Sequence, residues 1–106
     1  MGILDFLKGT SIDEEVKLYK ETDGAVLLDV RTREEYSQGR IPGSKNIPLQ
    51  EISFAEKELP GKDIPLFVYC YSGARSGQAV AKLKKMGYSH VKNIGGISGY
   101  RGEVER

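Results

Sequence analysis

The run Ala25-Val-Leu-Leu-Asp-Val30 is apolar at every position except Asp29 and shows no alternation of apolar with polar residues. A strand with one wet face alternates, so a strand that does not is covered on both faces, as central strands of parallel sheets are. A second run, Leu66 to Tyr69, lies between Pro65 and a Gly/Ser-rich loop and reads as another buried strand. Beyond that loop, from Ser76, the apolar positions Ala79, Val80, Leu83 and Met86 recur at helical spacing, and Gly87 is a natural stop. Sheet strands that alternate with helices and are buried on both faces predict a three-layer α/β domain: a central, mostly parallel sheet with helices on both faces.

The remaining segments fit that plan. Ser11 with Glu14, and Thr32 with Glu35, have capping-box spacing. They predict one helix from about Ile12 to Glu21, ended by Asp23-Gly24, and a short one through Glu34, Glu35 and Tyr36 that stops at Gly39. Arg40 to Pro48 is too rich in Pro and Gly for a helix, although Lys45 to Ile47 suits a brief strand. Leu49 to Leu59 reads as one or two short helices before Pro60-Gly61. Val91 to Ile94 reads as a further strand, Gly95-Gly96 as a tight turn, and Tyr100 to Arg106 as a weak final helix. A length of 106 residues suits one domain. Its expected bounds are residues 10–106, with residues 1–9 an N-terminal extension or short helix.

Composition removes several function classes. Sixteen basic and fifteen acidic residues leave a net charge of +1, with no footprint for nucleic acid. No segment approaches the roughly 20 apolar residues of a membrane span, and the Met1 to Gly9 stretch lacks a basic region and cleavage site of the secretory kind. The single cysteine, Cys70, has no internal partner for a disulfide. A reducing, cytoplasmic setting is the simpler expectation. One cysteine and one histidine also make no metal centre, and no cofactor is expected.

Cys70 is where the chemistry concentrates. It ends a buried strand and precedes a helix, and helix N-termini present unpaired N–H groups to anions. A cysteine in that position, near Arg75, has its thiolate favoured at neutral pH and becomes a nucleophile candidate. Without its loop, a lone cysteine reads as a small buried hydrophobe; the strand-loop-helix context reverses that reading. Asp29 reads as a strand-end carboxylate that bonds loop backbone or pairs with an arginine. Arg31, Glu34 and Glu35 read as a solvated charged face, and His90 as a surface residue in a turn.

The ordered motifs resemble those of the single-domain rhodaneses, or rhodanese-like sulfurtransferases. They are Leu28-Asp-Val-Arg31 with Glu34-Glu-Tyr36, Gly39-Arg-Ile-Pro-Gly43 with Asn46-Ile-Pro48, Val68-Tyr-Cys-Tyr-Ser-Gly-Ala-Arg-Ser76, Gly87-Tyr88 and Gly95-Gly96, together spanning about Ser11 to Tyr100. The chain departs from the family's pattern at Arg40, where His is common, and at Tyr100, where Trp is usual. The resemblance implies a rhodanese fold and a persulfide carried on Cys70. A thiolate would take sulfur from a small anionic donor such as thiosulfate and pass it to a thiol, cyanide or a protein cysteine. Tyr71, Ser72, Gly73, Ala74, Arg75 and Ser76 would form the active-site loop. Their N–H groups would cradle the sulfur, Gly73 would permit the curvature, Arg75 would supply positive charge, and Ser72 or Ser76 would add hydroxyls. Asp29 and Arg31 would support the loop from behind, and Tyr71 either faces solvent or shapes the donor's entrance.

Two other readings stand beside this one. A cysteine phosphatase also sets a thiolate in an anion-binding loop, but with five residues between Cys and Arg and usually a His before the Cys. Here four residues separate Cys70 from Arg75, and Tyr69 precedes the cysteine. A non-catalytic or sulfur-relay module that binds a partner protein is the third reading, because function belongs to sites rather than folds.

Overall fold

The computed structural model describes residues 11–106; the expected extension or short helix over residues 1–9 lies outside them. The first helix, α1 (Ile12–Lys20), opens with the predicted capping box. Ser11 Oγ accepts from the Glu14 N–H, and the Glu14 carboxylate accepts from the Ser11 N–H. Strand β1 (Val26–Asp29) follows, and α2 (Arg33–Gln38) repeats the device with Thr32 and Glu35 before stopping at Gly39. The brief strand β2 (Lys45–Asn46) leads into a 3₁₀ segment (Leu49–Phe54) and one turn of α-helix, α3 (Ala55–Glu58). Strand β3 (Leu66–Cys70), helix α4 (Ala74–Lys85), strand β4 (Val91–Gly96) and a 3₁₀ turn (Ile97–Gly99) complete the order. Among the described residues, no helix is long and apolar enough to cross a membrane.

Among the described residues, the strands form one sheet in the order β2-β1-β3-β4, with every neighbouring pair parallel. Both faces are covered, which is why the strand sequences do not alternate. Leu28, Val68 and Cys70 point into a core closed by Ile52, Ala55 and Leu59 from one side of the chain and by Ala79, Val80 and Leu83 of α4. Leu27, Phe67 and Tyr69 point the other way, under Ile12 and Val16 of α1. Each fully buried aliphatic side chain of this kind stabilises the fold by about 1.5–3 kcal/mol. Because all four strands run the same way, their C-terminal ends share one edge, and Asp29 and Cys70 both end there.

Three expectations are corrected. Helix α4 begins at Ala74, not Ser76, so Arg75 and Ser76 lie in its first turn, and Gly73 caps it at φ +106°, where a side chain would be strained. Gly95-Gly96 is not a free turn. Strand β4 runs through both, pairing them with Tyr69 and Cys70, after a bulge at Ile94 shifts the register. The final helix is absent as well: residues 100–106 run as a strap, with Arg40 and Glu105 exchanging two backbone hydrogen bonds of 2.8 Å in an antiparallel bridge. Seven residues are short for a helix, and Gly102 and Val104 disfavour one further. The Arg101 N–H donates to Asp13 Oδ1 at 2.8 Å, and Val104 seats against Gly39, so tertiary partners take the backbone groups a helix would have used.

Candidate active site

Parallel pairing of β1 with β3 brings two sequence-distant strand ends together, and the site is built around them. Cys70 is fully buried, as is Asp29. The Cys70 Sγ accepts the Gly73 N–H at 3.0 Å, and the Ser76 hydroxyl lies 3.4 Å away. Burial works against the thiolate. The Ser76 hydroxyl and the N–H groups of Ser76, Gly73 and Ser72 outweigh it, so the Cys70 thiol sits below its usual value.

The Ser76 hydroxyl has one proton and two claimants. Asn93 Oδ1 lies 2.7 Å from Ser76 Oγ, nearer than the sulfur, and also accepts the Gly95 N–H at 3.0 Å. Asn93 Nδ2 donates to the Gly73 carbonyl at 3.0 Å. Asn93 therefore ties β4 to both ends of the loop and competes with the sulfur for the Ser76 proton. Sequence reasoning missed this residue, and no local signal marks it: it stands 23 positions from the cysteine and reaches the loop only through the β4 bulge.

The loop is floored by backbone. The Tyr71 carbonyl accepts the Ser98 N–H at 3.0 Å, and it lies so close to Gly96 that a Cβ there would overlap it. The backbone conformation at Gly96 is extended (φ −130°), so space alone, and not conformational freedom, demands glycine. This close backbone approach sets the height of the loop above the sheet.

Arg75 is placed differently from its sequence expectation. Its two terminal nitrogens donate to Glu35 at 2.8 and 3.1 Å, and no hydrogen bond joins it to the sulfur among the described residues. Glu35, read from sequence as part of a solvated face, thus clamps α2 to the first turn of α4. The Arg75 hydrogen bonds hold its carboxyl down at about 2, against a smaller opposing effect of burial and with help from Thr32. Arg31 is likewise committed. Its guanidinium and backbone N–H bind the Asp29 carboxylate at 2.7–3.1 Å, and one nitrogen also donates to the Gly39 carbonyl at 2.7 Å. Asn46 Nδ2 donates to the Asp29 and Arg31 carbonyls at 3.0 Å each, so this buried pair braces the β1 end and the start of α2.

An open cleft of about 340 Å³ lies beside the loop, walled by Arg31, Glu35, Tyr71, Ile97 and Val104 among others. Tyr71 is 55% exposed and forms part of that wall. Ser72 and Ala74 are exposed, and His90 is exposed at the opposite end of the sheet, on a second cleft lined by Pro65, Leu66 and Val91 among others. The departure at Arg40 has a structural use: its guanidinium stacks over Tyr36 at 4.9 Å and pairs with Glu105 at 3.5 Å.

Known proteins are similar to this chain in sequence and fold. The profile of the family described as "Rhodanese-like domain" matches residues 13–103. The chain is 44% identical over 71 residues to the thiosulfate sulfurtransferase PspE of Escherichia coli, covering 66% of this chain and 68% of that one. It is 44% identical over 78 residues to a sulfurtransferase of Allochromatium vinosum, covering 73% and 72%. Among solved structures it is similar to a rhodanese from E. coli determined with anions, at TM-score 0.72 and 37% identity over 77% of this chain and 98% of that one. On the ordered motifs, the parallel sheet and the profile match, this chain belongs to the rhodanese-like domain family.

Proposed function

We propose that this chain is a sulfurtransferase that carries sulfur as a persulfide on Cys70. The observation that supports it is the buried sulfur faced by the Gly73 N–H at 3.0 Å and by the Ser76 hydroxyl, in a loop that favours its thiolate. The thiolate attacks the outer sulfur of thiosulfate, a new S–S bond forms, and the bond to the sulfonate sulfur breaks with its electron pair leaving on sulfite. The Cys70 persulfide is then attacked at its outer sulfur by a thiolate or cyanide, which leaves with that sulfur and returns the Cys70 thiolate. Charge is conserved in both steps.

The roles follow from the loop. Backbone N–H groups from Tyr71 to Ser76 receive the negative charge that moves onto the outer sulfur, and Gly73 gives the loop its curvature. Ser76 rotates its proton between Asn93 and the sulfur as that charge comes and goes. Arg75 contributes positive charge at the loop's end, while Asp29 and Arg31 hold the strand end that the loop rests on. The Cys70 sulfur has no second cysteine to discharge it, so the acceptor comes from outside, and a partner protein's cysteine suits the open cleft as a small thiol does. A reactive thiol of this kind works where it stays reduced, which favours the cytoplasm. A sulfur-transfer assay with thiosulfate and a panel of thiols and cyanide, run beside Cys70→Ser, tests the reading. Turnover lost in that variant agrees with it; equal turnover in both proteins refutes it.

A further inference from the structure

The cleft beside the Cys70 loop is walled by one arginine, Arg31, and one carboxylate, Glu35. Arg31 is consumed by Asp29 and the Gly39 carbonyl, and Arg75, in the first turn of α4, by both oxygens of Glu35. Arg75 is not among the cleft's walls, whereas the Glu35 side chain is, next to the apolar surface of Tyr71, Ile97 and Val104. The two side chains are equally exposed, 34% for Arg75 and 33% for Glu35, so a donor at this wall meets an ion pair rather than a free arginine.

We propose that Glu35 is a specificity-determining residue of the transfer reaction, holding the charge of Arg75 back from the donor and so disfavouring the dianion thiosulfate relative to organic sulfur donors of lower charge. The inference rests on the persulfide reading above and adds to it a residue and a direction. Glu35 stays ionised through the neutral range, because the Arg75 hydrogen bonds outweigh burial and hold its carboxyl at about 2. It is also built into α2: the same carboxylate oxygen accepts the Thr32 N–H at 3.0 Å and the Thr32 hydroxyl at 3.1 Å. The pair joins residues 40 positions apart, so its geometry is fixed by two elements rather than by a flexible loop.

The test is steady-state kinetics at low ionic strength on four proteins: wild type, Glu35→Gln, Arg75→Ala and the double variant. Glutamine keeps the capping acceptor while removing the charge. If charge governs, KM for thiosulfate follows the net charge of the pair. It falls about fivefold in Glu35→Gln, the scale of one exposed charge interaction, rises in Arg75→Ala, and returns near wild type in the double variant. A monoanionic thiosulfonate, with half the charge, gains about twofold in Glu35→Gln, and added salt shrinks both effects. Thr32→Ala, which weakens the cap and leaves the ion pair charged, stays within about twofold of wild type. A raised KM in Glu35→Gln, or a double variant worse than both single ones, overturns the proposal and leaves Glu35 a structural clamp. The mass of each protein is recorded after thiosulfate treatment. Sulfur gained by wild type with no change of KM in Glu35→Gln removes this inference alone, whereas no sulfur on wild-type Cys70 removes the transfer reading and this inference with it.

Discussion

Gly96→Ala isolates the contact that sets the height of the active-site loop. The added Cβ would overlap the Tyr71 carbonyl and come within 2.5 Å of Ser72 Cα, against 3.4 Å for the closest ordinary contact. The obstacles are backbone atoms, so the loop has to lift by about 1 Å. That displacement pulls on the Ser98 N–H bond to Tyr71 (3.0 Å) and on the Gly73 N–H bond to Cys70 Sγ (3.0 Å). Overpacking of this kind costs about 1–3 kcal/mol, and each kcal/mol lowers Tm by about 4–8 °C in a domain of this size. The alanine itself fits the extended backbone there, so the variant is expected to fold. Misplacing reacting groups by about 1 Å lowers rate by about a hundredfold. The expected outcome is a folded protein by circular dichroism, a lowered Tm, and sulfur transfer from thiosulfate reduced far more than stability requires. Wild-type Tm together with wild-type kcat/KM would refute the claim that this backbone contact positions the loop.

Other consequences follow from the same geometry. Ser76→Ala removes a hydroxyl donor from the sulfur. Because Asn93 shares its proton, the loss is about 1 kcal/mol rather than the larger value of an undivided charge-assisted bond, so Cys70 alkylation by iodoacetamide slows about fivefold at a fixed pH below its midpoint and the midpoint moves up. Asp29→Asn leaves Arg31 as an uncompensated buried cation and lowers unfolding free energy by about 3 kcal/mol in urea titration, with the loop's chemistry affected only through the strand end. Glu35 has a folded value near 2, depressed below its unfolded one. It therefore contributes stability that is present above about pH 4.3 and lost as pH falls toward 2. The pair is partly exposed, so that contribution is at most about 1 kcal/mol; in Glu35→Gln the acid limb of the stability profile should be shallower by that amount.

Much of the scaffold is written in short-range patterns. The two capping boxes are signals only four residues long, and both form as read, because the side chain and the N–H it caps are neighbours whatever the rest of the chain does. The unalternating runs at β1 and β3 announce a sheet covered on both faces, and the cores on the two sides bear that out. What escaped the sequence depends on topology. Glu35 meets Arg75 only because β1 and β3 are parallel neighbours, and each residue taken alone looks like a solvated charge. Asn93 reaches Ser76 through a bulge that no composition rule locates. Gly95-Gly96 reads as a turn because paired glycines usually permit one; here Gly96 is small in order to pass under Tyr71. Residues 100–106 read as a helix on weak local preference, and the bridge to Arg40 and the bond to Asp13 override it.

The central claim is that Cys70 holds the transferred sulfur, and intact-protein mass spectrometry after brief treatment with thiosulfate tests it most directly. The account predicts a gain of one sulfur atom on the wild-type protein, its removal by cyanide with thiocyanate as product, and no gain on Cys70→Ser. A wild-type protein that stays at its unmodified mass with thiosulfate and with an organic thiosulfonate, while its Cys70 still alkylates readily, would contradict it.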